Sequence, residues 1–189
     1  MATIITDLKE SFRRGNIYIQ LIYINVGVFV LTTLTEVILQ LFNRSLGGMF
    51  EWLELPASLS RFIVQPWSIL TYMFMHDPGS FGHVFFNMFS VFMFGRTLEM
   101  VWGSKRFLIY YLTTGIGAGL VQEVTWFFSL RDAIDATIVQ AGWETTRTLL
   151  NNVITIGASG AVFGILLAFG MLFPNAELFI MFIPIPVKA

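Results

Sequence analysis

One short run of the chain places a serine among small residues at the start of an apolar stretch. The run is Gly157-Ala158-Ser159-Gly160. Small neighbours would let a substrate backbone approach the hydroxyl, and the unpaired N–H groups in the first turn of a helix suit a developing oxyanion. This pattern indicates acyl transfer to Ser159. It also fits plain packing, because Gly160 and Gly164 form a GxxxG pattern that is common where membrane helices touch.

A second apolar stretch carries two polar side chains, His83 and Asn87, four residues apart. Residues at this spacing share one face of a helix. Both side chains can donate hydrogen bonds, and polar groups inside a membrane usually face a bundle interior or a hydrated cavity. A common target at a reaction site would explain the pair, and so would a hydrogen-bond pair that only joins two helices.

The elements that must position these residues belong to a membrane protein. Of the 189 residues, 56% are hydrophobic and 12% are charged, whereas soluble domains average about 25% charged. The net charge is −1 and the basic residues are dispersed, so we expect no nucleic-acid binding. The absence of cysteine excludes disulfides and a cysteine nucleophile.

Four apolar stretches reach the length of about 20 residues that a helix needs to cross a bilayer. They lie near 17–36, 83–102, 106–128 and 153–173, separated by a long loop at 37–82, a tight turn near Gly103-Ser104 and a polar stretch at 129–152. The predicted fold class is therefore an all-α, polytopic transmembrane helix bundle. The apolar segment 178–187 is too short to span and holds two prolines, which predicts an extended connection into a further helix.

Basic residues near the spans predict the orientation. Lys and Arg concentrate in cytoplasmic segments. Here Lys9, Arg13 and Arg14 precede the first span, and Lys105 and Arg106 lie in the short second loop. We therefore expect residues 1–16 to be a cytoplasmic N-terminal segment, with the 37–82 and 129–152 loops outside. The expected location is the plasma (inner) membrane, as a multi-pass integral protein.

Taken together, several motifs resemble those of the rhomboid intramembrane serine proteases in residue type, order and topology. The matching motifs are Gln65-Pro66-Trp67, Thr71, His76, His83-x-x-x-Asn87, Glu99-x-x-x-Gly103 and Gly157-Ala158-Ser159-Gly160. The resemblance covers nearly all of the chain from about Gln65. It implies that residues 17–189 form a rhomboid-like membrane domain that is incomplete at its C-terminus, with four spans present of six.

The resemblance also implies roles for single residues. Ser159 would attack the scissile carbonyl, and His83, Asn87 and the Ser159 backbone N–H would form the oxyanion hole. Gly157, Gly160 and Phe163 would line the site. The implied reaction cleaves transmembrane protein substrates within the lipid bilayer, without a metal or an organic cofactor.

The same family comparison assigns supporting roles outside the catalytic group. His76 has a structural counterpart, and Glu99 would stabilise helix packing, although a solvated charge pair with Arg96 accounts for Glu99 equally well.

Two departures from the family pattern matter. Many rhomboids carry Trp-Arg in the first external loop, where this chain has Trp67-Ser68. The family's general base is a histidine on the sixth span, whereas the two histidines here are His76 and His83. We therefore expect the 189-residue chain alone to be inactive. The alternative is a non-catalytic rhomboid-like protein that binds transmembrane helices; a transporter fragment fits less well, since no internal repeat is visible.

The orientation can be tested with one cysteine. Because the chain has no native cysteine, a Ser80→Cys variant carries a single thiol in the loop predicted to lie outside. A membrane-impermeant maleimide should label it from the external side of sealed vesicles. Labelling from the cytoplasmic side alone would overturn the predicted topology.

Overall fold

Long helices joined by structured loops form the frame of the protein in the computed structural model, which describes residues 6, 9–10, 12–13, 15–42, 50–179 and 186–188. The helices are α1 (Ile17–Leu41), α2 (Leu59–Val64), α3 (Ser68–Thr71), α4 (Phe81–Ser90), α5 (Arg96–Trp102), α6 (Ser104–Ser129), α7 (Arg131–Ala141), α8 (Trp143–Asn151) and α9 (Ser159–Leu172). Two 3₁₀ turns lie at Glu51–Leu53 and Tyr72–Phe74. The described residues also include four short strands: β1 (Leu55–Pro56), β2 (Ile154–Thr155), β3 (Glu177–Phe179) and β4 (Pro186–Lys188). The predicted all-α bundle is confirmed.

The helices differ in how well they suit a membrane. Among the described residues, Ile17–Leu41 and Phe81–Trp102 are long and apolar enough to cross one. The second of these is continuous, because a π turn at Val91–Gly95 joins α4 to α5. Helix α6 has 26 residues but includes charged side chains, and α9 has only 14 residues. The predicted span at 153–173 thus begins as a helix only at Ser159.

Small residues let α6 and α9 approach closely. A Cβ atom built on Gly160 would lie 2.5 Å from the Cβ of Ala118, and one on Gly164 would lie 2.7 Å from the Cβ of Thr114. Neither distance is possible for real side chains, so the two glycines are required by the contact. The GxxxG pattern therefore does serve packing, on the α6 side of α9. This leaves Ser159, at the helix start, available for another role.

The loop between α1 and α4 is held by polar contacts. The Arg61 guanidinium donates to the Asn151 carbonyl at 2.8 Å and pairs with the Glu51 carboxylate at 3.3 Å. The Trp67 indole N–H donates to the Trp52 carbonyl at 2.7 Å, and the two indole rings stack. Arg61 thus provides an arginine anchor in this loop, although the family's Trp-Arg pair is missing.

Two segments contain secondary structure that the sequence did not specify. The polar stretch 129–152 is mostly helical, forming α7 and α8 with a turn at Gly142, whose φ is +80°. These helices are polar, so their sequence lacks the apolar length that indicates a span. In the predicted extended connection, β3 and β4 pair antiparallel, with Leu178 opposite Val187. Residues 180–185 lie outside the described residues.

Glu99 joins the first two spans. Its carboxylate accepts hydrogen bonds from the backbone N–H groups of Ile17 and Tyr18, both at 2.9 Å, and from the Ser104 hydroxyl. Ile17 begins α1, so the carboxylate meets the unpaired N–H groups and the positive end of that helix. Glu99 is buried. The packing role is therefore the one observed, and a solvated charge pair is not.

The Glu99→Gln substitution should lower the free energy of unfolding by about 1–3 kcal/mol. The amide has no negative charge at the helix terminus, and its N–H₂ group would face the Ile17 and Tyr18 N–H donors. Thermal unfolding in detergent measures this. Asp135→Asn, at an exposed position inside α7, is the matched control and should change stability by less than about 0.5 kcal/mol. Equal stability of both variants would contradict the structural role.

Candidate active site

A two-stranded ladder holds the segment that leads into Ser159. Strand β1 pairs antiparallel with β2, with Leu55 opposite Thr155 and Pro56 opposite Ile154. One further backbone bond runs from the Ala57 N–H to the Val153 carbonyl at 2.9 Å. The loop after α1 thus fixes the residues just before the predicted nucleophile.

Gly157 makes a sharp turn between this ladder and α9. Its N–H donates to the Tyr72 carbonyl at 2.9 Å, and its φ is +122°, a conformation that L side chains rarely adopt. A Cβ atom here would lie 2.7 Å from His83 Nε2 and 3.8 Å from Ser159 Oγ. The imidazole and the hydroxyl therefore approach the same point from two helices, and only a glycine leaves that point open.

Ser159 is the first residue of α9 and is partly exposed. The first backbone bond into the helix runs from the Val162 N–H to the Ala158 carbonyl. The preceding N–H groups, including that of Ser159, have no intrahelical partner and lie at the positive end of the helix. The hydroxyl thus lies beside backbone donors that can stabilise a negative oxygen.

Asn87 and His83 lie on one helix, but their immediate neighbours differ. The Asn87 amide Nδ2 lies 3.1 Å from His76 Nε2 in a buried hydrogen bond. The His76 ring packs edge-on against His83, with ring centroids 5.1 Å apart. His76 therefore contacts both residues of the predicted oxyanion pair. The sequence offered one signal for this contact, since His76 lies in the loop that leads into α4.

His76 is buried, and the pKa of its imidazole is lowered to about 4. Burial is the main cause, repulsion from His83 adds to it, and the Phe74 carbonyl partly opposes it. The ring is then neutral at pH 7. Because the Asn87 N–H₂ group can only donate, Nε2 is the accepting nitrogen and Nδ1 carries the proton. The Nε2 lone pair is therefore occupied by the Asn87 N–H, which makes His76 a poor general base.

The remaining predicted site residues differ in where they lie. Gly160 contacts α6, one residue beyond Ser159. Phe163 lies one turn after Ser159, and its side chain is 71% exposed. Its place as a lining residue stays a prediction. Sequence reasoning missed Tyr72, whose carbonyl fixes Gly157 and whose hydroxyl donates to the Gly115 carbonyl at 2.6 Å.

Comparison with known proteins identifies the family of the chain. The family described as "Rhomboid domain" matches residues 64–188, which is more than half of the chain. The protein belongs to the rhomboid family. No solved structure gives a significant match.

Two relatives come from organelles of eukaryotes. Rhomboid-like protein 11, chloroplastic, of Arabidopsis thaliana is 25% identical over 159 residues, covering 84% of this chain and 43% of its own. Rhomboid protein 1, mitochondrial, of Saccharomyces cerevisiae is 29% identical over 119 residues, covering 63% of this chain and 29% of its own.

A third relative is bacterial. The YdcA protein of Bacillus subtilis, whose name gives it as a candidate rhomboid protease, is 31% identical over 99 residues, covering 52% of this chain and 37% of its own. The chain thus spans less than half the length of each of these relatives.

The buried His76 should leave a pH signature in stability. Its pKa is about 4 in the folded protein and 6.5 ordinarily, so between these values only the unfolded chain takes up the proton. The free energy of unfolding should therefore fall, by about 2 kcal/mol, as pH drops from 6.5 to 4. Thermal unfolding across this range measures it.

His76→Gln keeps a hydrogen-bonding group for Asn87 and should remove this fall. Burial raises the pKa of the Glu54 carboxyl, so protonation of Glu54 increases the free energy of unfolding as pH falls. This contribution is the same in the wild-type protein and in His76→Gln. The difference between the two pH profiles therefore isolates His76. Parallel profiles would show that His76 is not held neutral.

Proposed function

We propose that this protein acts as an intramembrane serine endopeptidase that hydrolyses peptide bonds in or near transmembrane segments of membrane-protein substrates. The observation that carries the proposal is the approach of His83 Nε2 and Ser159 Oγ to one point at Gly157. Membership of the rhomboid family supports it. Because the chain spans less than half of its relatives, the proposal concerns the activity of the whole protein.

In the proposed reaction, Ser159 Oγ attacks the scissile carbonyl carbon while a general base takes the hydroxyl proton. The carbonyl oxygen becomes an oxyanion, which the Ser159 backbone N–H, His83 and Asn87 stabilise. Collapse of the intermediate breaks the C–N bond, and the amine leaves with the proton. Water then hydrolyses the acyl-enzyme and regenerates the hydroxyl.

The contact between His76 and Asn87 supports this division of roles. An amide has two N–H groups, and His76 accepts one of them. That bond holds the Asn87 side chain in one orientation without using its second donor. His76 then acts as a positioning residue, and the base is the sixth-span histidine that the resemblance implies.

The short length of α9 supports cleavage inside the bilayer. Its 14 residues extend about 21 Å, whereas the hydrocarbon core is about 30 Å thick. A helix that starts at Ser159 and ends at the far boundary leaves the nucleophile several ångströms below the near surface. The neighbouring loop after α1 would then admit water to that depth.

A non-catalytic protein that binds transmembrane helices is the second candidate. It is favoured by one observation: within the described ranges, the Ser159 hydroxyl has no hydrogen-bond partner. A serine at its ordinary pKa is a weak nucleophile without a base within about 2.6–3.2 Å. The two functions differ in whether Ser159 reacts.

The test compares the protein carrying its natural continuation with the 189-residue chain, each purified and incubated with a fluorogenic transmembrane peptide. The longer protein should cleave, and Ser159→Ala should reduce its rate by about 10⁴-fold or more. The exposed Ser129→Ala variant is the matched control and should keep full activity. The 189-residue chain should be inert.

The other outcomes are equally informative. Cleavage by the short chain that Ser159→Ala abolishes would mean that a base is already present, and His83 would then be misassigned. A longer protein that binds the peptide without cutting it would establish the binding function and refute the protease.

A further inference from the structure

A large cavity lies apart from the candidate active site. Its volume is about 670 Å³, and it opens between the start of α2 with the two residues before it, the end of α6, and helices α7 and α8. Neither His83, Gly157 nor Ser159 lines it. Cavities of about 300–1,000 Å³ are typical of small-ligand sites. Its size therefore suits a small ligand, and the residues that line it indicate the chemical class of that ligand.

Most of the cavity wall is apolar and continues onto the outside of the bundle. Trp126, Phe127, Ile134 and Trp143 contribute large side chains. Phe127 is 65% exposed, so the cavity reaches the lateral surface of α6. Tryptophan is enriched where proteins meet the membrane–water interface. An acyl chain has the shape and the chemistry to fill such a wall from the side.

Charged groups of both signs also line the cavity. Arg131 and Arg147 contribute guanidinium groups, and Glu123 and Asp135 contribute carboxylates. Within the part of the chain that the structure describes, neither arginine has an ion pair or hydrogen bond. Glu123 Oε1 is buried and also lacks a partner. A buried acceptor without a donor is costly, which favours a ligand that brings one.

We propose that this cavity binds one amine-bearing zwitterionic glycerophospholipid, of the phosphatidylethanolamine type. The acyl chain lies along Trp126 and Phe127, the phosphate pairs with Arg131 and Arg147, and the ammonium donates to Glu123. Guanidinium groups match phosphate oxygens bidentately. Phosphatidylcholine has no N–H to give the carboxylate, and phosphatidylglycerol has no cation, so both should bind more weakly. This site is independent of proteolysis.

The test measures tryptophan quenching by bromine-labelled lipids in bilayers that are otherwise identical. Bulk lipid quenches equally with any headgroup, so the difference between labelled phosphatidylethanolamine and labelled phosphatidylcholine reports the site. Half-maximal quenching should need about tenfold less of the ethanolamine lipid, as expected for one or two charge-assisted hydrogen bonds. Trp126→Phe with Trp143→Phe should remove most of the difference, since both tryptophans line the cavity.

Two variants assign the headgroup contacts. Arg131→Gln with Arg147→Gln should raise the amount of phosphatidylethanolamine needed for half-maximal quenching by about tenfold, because the phosphate loses its guanidinium partners. Arg106→Gln, at an exposed position near the start of α6, is the matched control and should leave that amount unchanged. Glu123→Gln should reduce the preference for phosphatidylethanolamine over both phosphatidylcholine and phosphatidylglycerol. Equal quenching by all headgroups, an unchanged preference in Glu123→Gln, or unchanged half-maximal quenching in the double arginine variant would overturn the proposal. So would quenching that weakens as protein concentration rises, which would indicate a second copy in the cavity.

Discussion

The candidate site depends on a point in the fold where no side chain can fit. Gly157 turns the chain with φ at +122°, and a Cβ atom there would collide with the His83 imidazole. The Tyr72 carbonyl holds the Gly157 N–H, and the Tyr72 hydroxyl is bound in turn to α6. The ends of α4 and α9 can therefore approach closely because Tyr72 holds the Gly157 backbone and because Gly157 has no side chain.

The polar residues around this point form two layers. His83 lies beside Gly157 and Ser159, while His76 and Asn87 are buried behind it. The neutral state of His76 matters here, because a charged imidazole could not accept the Asn87 N–H and would repel His83. Burial thus fixes both the charge and the hydrogen-bond direction. The loop after α1 contributes structure to the site as well as a boundary, since it supplies Tyr72, His76 and strand β1.

The sequence predicted the features that depend on apolar length and local spacing. It located the two apolar helices Ile17–Leu41 and Phe81–Trp102 to within several residues, the turn at Gly103, and the shared helix of His83 and Asn87. Each of these depends on residues that are near neighbours in the chain. The start of helix α9 was predicted at 153 and lies at Ser159. The family resemblance added the roles of the residues, which spacing alone leaves open.

Other features could not be predicted because they join distant segments. The hydrogen bonds that the Ile17 and Tyr18 N–H groups donate to Glu99 join residues more than eighty positions apart. The bond from Arg61 to the Asn151 carbonyl joins residues ninety positions apart. No periodic pattern encodes such partners. Helices α7 and α8 escaped detection because their polar residues do not meet the apolar length that identifies a span. The positive φ of Gly157 was also hidden, since a glycine among small residues indicates packing just as well.

The dependence of Ser159 reactivity on Gly157 is tested most directly by the rate at which a fluorophosphonate labels Ser159 in the complete protein. Mass spectrometry locates the labelled residue. Gly157→Ala should slow labelling at least about tenfold, because the methyl group strains the backbone and displaces His83. Gly117→Ala is the matched control, since a Cβ there meets nothing within 4 Å, and it should label at the wild-type rate. Wild-type labelling of Gly157→Ala, or labelling at another residue, would contradict the account.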